Sequence, residues 1–193
     1  MSRIVAGTAG GVRIAVPPHG VRPTSDRVRE ALFSLLEARG ALEDATVLDL
    51  YAGSGALGLE ALSRGALTAT LVERDPRACG FIQTNARTTH LSGALVRRAS
   101  VLTFLKRATD TVDLVFVDPP YADTEAEVDA VLAALPPWLG AGALVVVERD
   151  SRSRTPAWPE ALAPEEPRVY GETTLHLASG WAAERRGTPG RGA

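Results

Sequence analysis

Residues 46–58, TVLDLYAGSGALG, decide how this sequence folds. The apolar start predicts a buried strand, and Gly53-Ser54-Gly55-Ala56-Leu57-Gly58 then matches G-x-G-x-x-G before an apolar helix. Such a turn lets a ligand approach the backbone and meet the amides at a helix start. Glu73 ends the next predicted strand, twenty residues past Gly53, where an acid would bind a ribose diol. The pattern therefore predicts an adenosine-containing cofactor without separating a dinucleotide from other cofactors of that kind.

Asp49, four residues before the first glycine, separates the two kinds of cofactor. A carboxylate at this position would face the pyrophosphate of a dinucleotide, and like charges repel at short range. The amino-acid arm of S-adenosylmethionine carries an ammonium group that a carboxylate attracts, so we favour this methyl donor. Ser100 follows the third strand of the series, where an adenine contact would lie. We expect these residues to bind the cofactor: Asp49, Tyr51, Gly53, Ser54, Gly55, Glu73, Arg74 and Ser100.

Strands and helices alternate from residue 45 onward, which predicts the fold class. Apolar strands that are each followed by a helix indicate an α/β fold with a mostly parallel, doubly wound sheet. Before this series, two short apolar runs around Gly10-Gly11 predict a β-hairpin, followed by an amphipathic helix. After it, RVYGETTLHLAS predicts a terminal hairpin that supplies an antiparallel edge. We divide the chain into an amino-terminal hairpin and helix (1–40), a main domain (41–180) and a disordered tail (181–193).

Asp118-Pro119-Pro120-Tyr121 follows the fourth strand of the series, VDLVFV. In an open parallel sheet, ligands bind at the carboxyl ends of the strands, next to the point where the strand order reverses. This tetrapeptide should therefore lie beside the glycine loop. Asp118 and the Pro119 carbonyl offer two hydrogen-bond acceptors for an exocyclic amine, and the prolines hold them rigid. Tyr121 offers a ring on which a base can stack, an interaction of about 1–3 kcal/mol. We expect Asp118, Pro119 and Tyr121 to be catalytic in methyl transfer to an amine.

The composition excludes several classes of protein. No apolar run is long enough to span a membrane and MSRIVAG contains no signal core, so we expect a cytoplasmic protein. The single cysteine, Cys79, excludes a disulfide within the chain and a cysteine-cluster metal site. With only three scattered histidines we expect no bound metal. No surface with an obvious dimer-forming pattern is present, so we expect a monomer.

Positive charge is concentrated near the amino terminus. The chain has a net charge of −2, yet residues 1–29 contain five arginines and one acid. This asymmetry indicates either a surface that faces phosphate or a solvated basic face. The arginines are Arg3, Arg13, Arg22, Arg27 and Arg29.

Three stretches resemble one known family when they are taken together. MSRIVAGTAGGVRIAVP, RPTSDRVREALFSLL and DLYAGSGALGLEALSRGA, with DPPY, are similar to the RsmD family of 16S ribosomal RNA guanine-N2 methyltransferases. The resemblance runs from Arg3 to YGETTLHLA, and RPTSDRVREALF is its most specific part. It implies a Rossmann-like class I methyltransferase fold and S-adenosyl-L-methionine as cofactor. It also implies methylation of one guanine N2 in 16S rRNA, within an assembled or assembling 30S subunit.

The resemblance also assigns residues to the RNA. It places Arg22, Thr24, Arg27 and Arg29 on the RNA-facing side. We add Arg3 and Arg13 from the basic hairpin, and Pro120 and Tyr121 from the tetrapeptide.

Three other functions remain open at this stage. A DNA adenine-N6 or cytosine-N4 methyltransferase would share the fold and DPPY, but it usually needs a target-recognition region for which little chain is left. A nicotinamide-dependent oxidoreductase is disfavoured by Asp49. An RNA-binding protein without catalysis would use the basic amino terminus and leave both motifs unexplained.

Overall fold

The computed structural model describes residues 2–17, 26–107, 110–120 and 123–180. The amino-terminal part contains β1 (Ser2–Arg3), β2 (Arg13–Ile14) and α1 (Asp26–Ala38). The alternating series consists of β3 (Thr46–Leu50), α2 (Ala56–Ser63), β4 (Thr68–Glu73), α3 (Pro76–Thr89), β5 (Ala94–Arg98), α4 (Val101–Leu105), β6 (Val112–Val117) and α5 (Glu125–Ala133). A 3₁₀ turn (Pro136–Trp138) then leads into β7 (Leu139–Asp150), β8 (Leu162–Pro164), β9 (Arg168–Tyr170) and β10 (Thr173–Gly180).

The main sheet has the strand order β5-β4-β3-β6-β7-β10-β8, and β9 also pairs with β10. The strands from β5 to β7 are parallel, whereas β10 runs antiparallel to β7, β8 and β9. The chain order reverses between β3 and β6, which are direct neighbours with Leu50 opposite Val117. The expected adjacency of the glycine loop and the DPP segment is therefore confirmed.

Helix boundaries follow local capping chemistry. Asp75 accepts a hydrogen bond from the Arg77 N–H at 2.9 Å, and Pro76 takes the first helical position of α3, where its missing N–H costs nothing. Helix α5 begins with a capping box in which Thr124 and Glu127 each bond the other's backbone amide.

Helices cover both faces of the sheet. One face carries α1, α2 and α3 over a core that includes Phe33, Leu59 and Phe116. The other carries α4 and α5 over Val115, Val131 and neighbouring apolar side chains. The mostly parallel, doubly wound α/β fold predicted from the strand–helix alternation is confirmed. Within the described residues no helix is long and apolar enough to cross a membrane.

The carboxyl-terminal part contains one strand that the sequence pattern did not indicate. The β9–β10 hairpin supplies the expected antiparallel extension, with Thr173 opposite both Tyr170 and Asp150. The missed strand, β8, pairs with the last three residues of β10 and lies in the proline-rich connection. Because β8 is three residues long and lies at the sheet edge, Pro164 can occupy it without breaking an internal ladder.

The amino-terminal hairpin is joined to the main domain by a shared core. Ile4 and Ile14 are fully buried in the same cluster as Phe33 of α1 and Phe116 of the sheet. A Cβ on Gly7 would overlap the backbone of Ser63, so the hairpin lies directly against α2. The boundary we predicted at residue 40 stays a prediction, and the tail predicted at 181–193 lies outside the described residues.

Candidate active site

A cavity of about 530 Å³ opens at the carboxyl ends of the parallel strands. The loops after β3, β4, β5 and β6 and the end of β7 contribute to its wall, so it lies across the point where the strand order reverses. This is the position expected for a ligand in an open parallel sheet, and the volume is that of a typical small-molecule site.

The loop after β3 is held by a carboxylate that caps the following helix. Asp49 is 1% exposed, and its Oδ2 accepts a hydrogen bond from the Gly58 N–H at 2.9 Å. A side chain at Gly58 would crowd that oxygen and Leu71, which explains the third glycine of the motif. Asp49 therefore places its carboxyl group at the helix N-terminus, where a dinucleotide-binding site receives a pyrophosphate.

Burial raises the pKa of Asp49 to about 7, against the lowering effect of the Gly58 N–H. The nearby Glu73 carboxylate raises it further. A buried acid of this kind is stabilised in its charged form by any cation placed beside it. The wall of the cavity near Asp49 is thus suited to a positively charged group.

Glu73 lies at the end of β4, where both of its carboxylate oxygens face backbone amides. The Gly53 N–H donates to Oε2 at 3.0 Å, and the Asp75 N–H donates to Oε1 at 2.8 Å. These bonds fix the carboxylate on the cavity wall beside the glycine loop. Each oxygen keeps a lone pair, so the group can accept hydrogen bonds from the hydroxyls of a ligand.

Other predicted cofactor residues are distributed unequally around the cavity. Tyr51, Gly53, Ser54 and Arg74 line it. Burial, together with a hydrogen bond to Asp123, raises the pKa of the Tyr51 phenol.

Gly55 is not part of the wall. It takes φ +81° as the residue before α2, and a Cβ there would lie 3.1 Å from side chains of Ile82 and Leu71. The backbone conformation and the packing at position 55 therefore require glycine.

Ser100 lines the cavity but its hydroxyl serves a helix. The side chain accepts from the Thr103 N–H at 3.4 Å and donates to the Thr103 hydroxyl at 2.8 Å, capping α4. An adenine contact through this hydroxyl would compete with the cap. The assignment of Ser100 to adenine stays a prediction.

The DPP segment reaches the cavity as expected from its place after β6. Asp118, Pro119 and Pro120 all line it; Asp118 is half-buried and Pro119 is buried. Tyr121, the predicted stacking platform, lies outside the described residues. The glycine loop and two of the three predicted catalytic residues therefore share one cavity.

Several cavity residues were not predicted from the sequence. They come from α5, from the loop before it and from the end of β7: Asp123, Glu127, Glu148, Arg149 and Asp150. Glu148-Arg149-Asp150 follows the apolar run of β7, and the general rule that strand ends carry ligand residues could have identified it. Among the described lining residues eight are acids and three are arginines. The cavity therefore favours a cationic ligand over an anionic one.

The amino-terminal arginines divide into exposed and buried residues. Arg3, Arg13 and Arg27 are exposed, and Arg3 pairs with Asp26 at 3.4 Å. Arg22 and Thr24 lie outside the described residues. Arg29, which was predicted on the RNA-facing side, is only 1% exposed.

Arg29 is buried in a network within the protein. Its Nη2 donates to Ser2 Oγ, the Arg3 carbonyl and Asp26 Oδ1, at 3.1, 2.5 and 2.8 Å. Its Nε lies 3.9 Å from Glu60 Oε2 of α2. Burial lowers the pKa of this guanidinium while the Glu60 and Asp26 carboxylates raise it. The residue joins the amino-terminal strand to α1 and α2 and also lines the cavity, and its contact with RNA stays a prediction.

Comparisons with known proteins agree with this architecture. The family model described as Conserved hypothetical protein 95 matches residues 2–179. The ribosomal RNA small subunit methyltransferase D of Escherichia coli K12 is 38% identical over 176 residues, covering 91% of this chain and 88% of that protein. The enzyme of the same name from Haemophilus influenzae is 39% identical over 153 residues, with 77% and 78% covered. The structure of a hypothetical protein from Thermus thermophilus superposes with a TM-score of 0.81 at 39% identity, covering 92% of this chain and 98% of that one.

The fold and the cavity at its order switch define a class I methyltransferase fold of the Rossmann-like kind. With a family model and curated relatives that match most of its length, the chain belongs to the RsmD family.

Proposed function

We propose that this protein is an S-adenosylmethionine-dependent methyltransferase that methylates the exocyclic N2 amine of one guanine in 16S ribosomal RNA. The proposal rests first on one observation: the glycine loop with Asp49 and the Asp118-Pro119 segment line the same cavity. The relatives named as small-subunit rRNA methyltransferases support the choice of rRNA. We place the reaction on the 30S subunit, assembled or assembling, in the cytoplasm, with the enzyme acting as a monomer.

The residues of the cavity fit this cofactor. Asp49 is a buried carboxylate that accepts a hydrogen bond from the neutral Gly58 amide, and an ammonium group would stabilise its charged form. Glu73 offers fixed acceptors for ribose hydroxyls, and Gly53 allows close approach to the backbone. The excess of acids over arginines also suits a ligand that carries a sulfonium. When bound, S-adenosylmethionine supplies an electrophilic methyl group.

The residues of the DPP segment do the orienting chemistry on the acceptor. An exocyclic amine is a weak nucleophile because its lone pair is delocalised into the ring. The Asp118 carboxylate and the Pro119 carbonyl can each accept one amine hydrogen, which favours a pyramidal nitrogen with its lone pair out of the ring plane. Asp118 can then take the proton that the amine loses. Prolines suit this place because they fix φ and bring no N–H to compete for the acceptors.

The acceptor base must leave its stack to reach this cavity. A nucleotide in a hairpin loop or at an exposed junction meets this requirement at lower cost than one inside a duplex. Tyr121, predicted from the sequence as a stacking platform, would compensate part of the unstacking. This requirement favours a structured RNA loop as the substrate.

The geometry disfavours the oxidoreductase alternative. A dinucleotide would bring its pyrophosphate to the amino end of α2, where the Asp49 carboxylate already accepts the Gly58 N–H. The DNA amino-methyltransferase alternative shares the cavity chemistry, so only substrate choice separates it from the rRNA enzyme.

A transfer assay tests the proposal. Tritiated S-adenosylmethionine is offered with 30S subunits from an Escherichia coli strain that lacks methyltransferase D, with naked 16S rRNA, or with DNA. We expect label in the small-subunit RNA, and nuclease digestion followed by chromatography should identify it as N2-methylguanosine.

Each other outcome assigns a different function. Label in DNA alone would replace the rRNA proposal with the DNA amino-methyltransferase. Cofactor binding by calorimetry without label in any substrate would favour an RNA-binding protein without catalysis. Label on another atom of guanine would refute the assignment of the amine.

A further inference from the structure

A second basic region follows the glycine loop in sequence. Residues 74–107 contain seven basic side chains and one acid, Asp75, in a chain whose net charge is −2. The stretch contains α3, β5 and α4. We name its cations the β5-edge patch: Arg74, Arg77, Arg87, Arg97, Arg98, Lys106 and Arg107.

The members of the β5-edge patch are all exposed. None of them forms an ion pair among the described residues, although Arg97 bonds the neighbouring Val96 carbonyl. Six described arginines elsewhere do form ion pairs: Arg3, Arg29, Arg39, Arg64, Arg152 and Arg154. Cations without a carboxylate partner raise the local positive potential when they are concentrated in one region, whereas the charge of an ion-paired arginine is largely neutralised.

The fold gathers this region around one edge of the sheet. β5 is the terminal strand, with Arg98 opposite Glu73 at its carboxyl end. Arg97 and Arg98 are consecutive strand residues and so point to opposite faces, one toward α3 and the other toward α4. Val96, two residues earlier on the same face of β5, packs against the core beneath α3, so Arg98 points to the α3 side.

The patch begins at the cavity rim and extends away from it. Arg74 lines the cavity, and Arg77 lies in the first turn of α3 at the same end of the sheet. Ten residues of helix separate Arg77 from Arg87, a length of about 15 Å. The patch can therefore follow a chain of anionic groups that leaves the cavity mouth.

The cavity and the patch have opposite charge, which divides an RNA ligand between them. Eight acids against three arginines on the cavity wall repel phosphate, so only the base and its amine suit the cavity. The phosphates on either side of that base must then lie on positive surface outside it. Guanidinium groups match phosphate oxygens in charge and geometry.

We infer that the β5-edge patch binds the phosphate backbone of the RNA next to the methylated nucleotide. This inference rests on the proposed function, since it takes rRNA as the substrate. It adds a second contact surface to the amino-terminal arginines, on the cofactor side of the cavity.

The test measures how RNA binding depends on salt. Arg77, Arg97 and Arg98 are changed to glutamine one at a time and together; Arg74 is left intact because it lines the cavity. Dissociation constants for 16S rRNA and for the 30S subunits lacking the methyl group are measured between about 0.05 and 0.3 M salt. Arg168→Gln is the matched control, since Arg168 is an exposed arginine in β9, which lies near the edge of the sheet opposite β5.

We expect each single substitution to reduce the slope of log K against log salt by about 0.7–0.9. The triple variant should then bind RNA about a hundredfold more weakly near 0.15 M salt. The KM for RNA should rise with little change in kcat, while cofactor affinity and thermal stability stay at wild-type values. Arg168→Gln should keep the wild-type slope.

Three results would overturn the inference. One is a triple variant with the wild-type slope, and another is an equal reduction by Arg168→Gln, which would show a general charge effect. A wild-type protein that binds neither 16S rRNA nor the 30S subunits would instead refute the proposed function. Failure of the inference and failure of the proposed function are therefore distinguishable. Equal loss of affinity for duplex DNA and for RNA, with no effect on the KM for RNA, would also refute a role next to the methylated nucleotide.

Discussion

Asp49 is the residue whose environment most directly links folding to ligand binding. Burial raises its pKa to about 7, while in an unfolded chain it titrates near 3.8. The native protein therefore keeps a proton that the unfolded chain loses between about pH 4 and 7. By linkage, the contribution of Asp49 to stability decreases as pH rises through that window and is constant above about pH 7. A cation beside the carboxylate would stabilise its charged form and so offset this loss of stability.

The first prediction is that cofactor affinity increases with pH up to about 7 and then levels off, because only charged Asp49 attracts an ammonium group. In Asp49→Asn the increase should be absent, and the stability of the ligand-free protein should no longer fall between about pH 4 and 7. Calorimetry measures the affinity and thermal unfolding the stability. An unchanged pH profile in Asp49→Asn would show that another group controls binding.

The second prediction concerns Asp118. Replacing it with alanine removes one acceptor for the amine, so kcat should fall by about 10²–10⁴-fold while cofactor affinity is largely retained. Single-turnover transfer and calorimetry measure the two quantities. Asp113→Ala is the control because Asp113 lies near the start of β6, the strand that Asp118 follows, and accepts a hydrogen bond from the Thr46 amide. Equal loss of binding and transfer in Asp118→Ala would mean that Asp118 belongs to the cofactor site.

Residue roles were predictable where chemistry follows from position along a strand. Asp49, Glu73 and Asp118 each lie at or next to the end of a parallel strand, and the fold brings such ends together. The burial of Arg29 was missed although Leu32, Phe33 and Leu36 follow it at helical spacing, because a charged side chain is rarely buried without a partner. Its burial depends on Glu60, thirty-one residues later, which no local pattern indicates.

At the scale of elements, helix α2 connects the amino-terminal hairpin with the cofactor loop. Glu60 is fully buried and accepts hydrogen bonds from the Val5 and Ala6 amides at 2.6 and 3.0 Å. The same carboxylate pairs with Arg64 at 2.7 Å and lies near Arg29. The start of α2 meanwhile holds Asp49. One helix thus fixes both the amino-terminal strand and the site.

The third prediction is that Glu60→Gln destabilises the protein by about 3–5 kcal/mol. It removes the buried charge shared by Arg29 and Arg64, whose remaining acidic partners, Asp26 and Glu37, are about half exposed. Chemical denaturation measures the free energy of unfolding. Glu43→Gln, an exposed change in the loop after α1, should stay within about 0.5 kcal/mol of wild type. A Glu60→Gln protein as stable as the control would show that the backbone bonds, and not the charge, hold the hairpin.

The strand–helix alternation predicted the parallel sheet and its covering helices, whereas β8 was not predicted. Leu162–Pro164 has only three residues, and the pattern for a strand needs at least about four. Its pairing with β10 depends on the path of the whole connection, which sequence spacing does not encode.

At the scale of the molecule, one sheet separates two apolar cores and the amino-terminal hairpin belongs to the first of them. The hairpin therefore cannot be removed as an RNA-binding appendage without opening that core. Ile14 and Phe33 lie in the same cluster as Leu177 of the last strand.

The fourth prediction follows from this shared core. Ile14→Ala should lower the stability of the whole domain by about 2–5 kcal/mol, and the protein should still unfold in one transition. Far-ultraviolet circular dichroism and tryptophan fluorescence should give the same midpoint, because Trp138 is buried in the opposite core. A separate early transition in either signal would show that the hairpin unfolds alone. Arg13→Ala, an exposed neighbour in β2, should have little effect on the midpoint.

The place of β10 constrains the order in which the protein can be completed during its synthesis. This strand is made after β7, β8 and β9, yet it lies between β7 on one side and β8 and β9 on the other. Until residues 173–180 have left the ribosome, β7 has an open edge and the two short strands have no partner. A nascent chain that stalls before this point exposes a long apolar strand. Premature termination late in the message therefore leaves a nearly complete chain that is prone to aggregate.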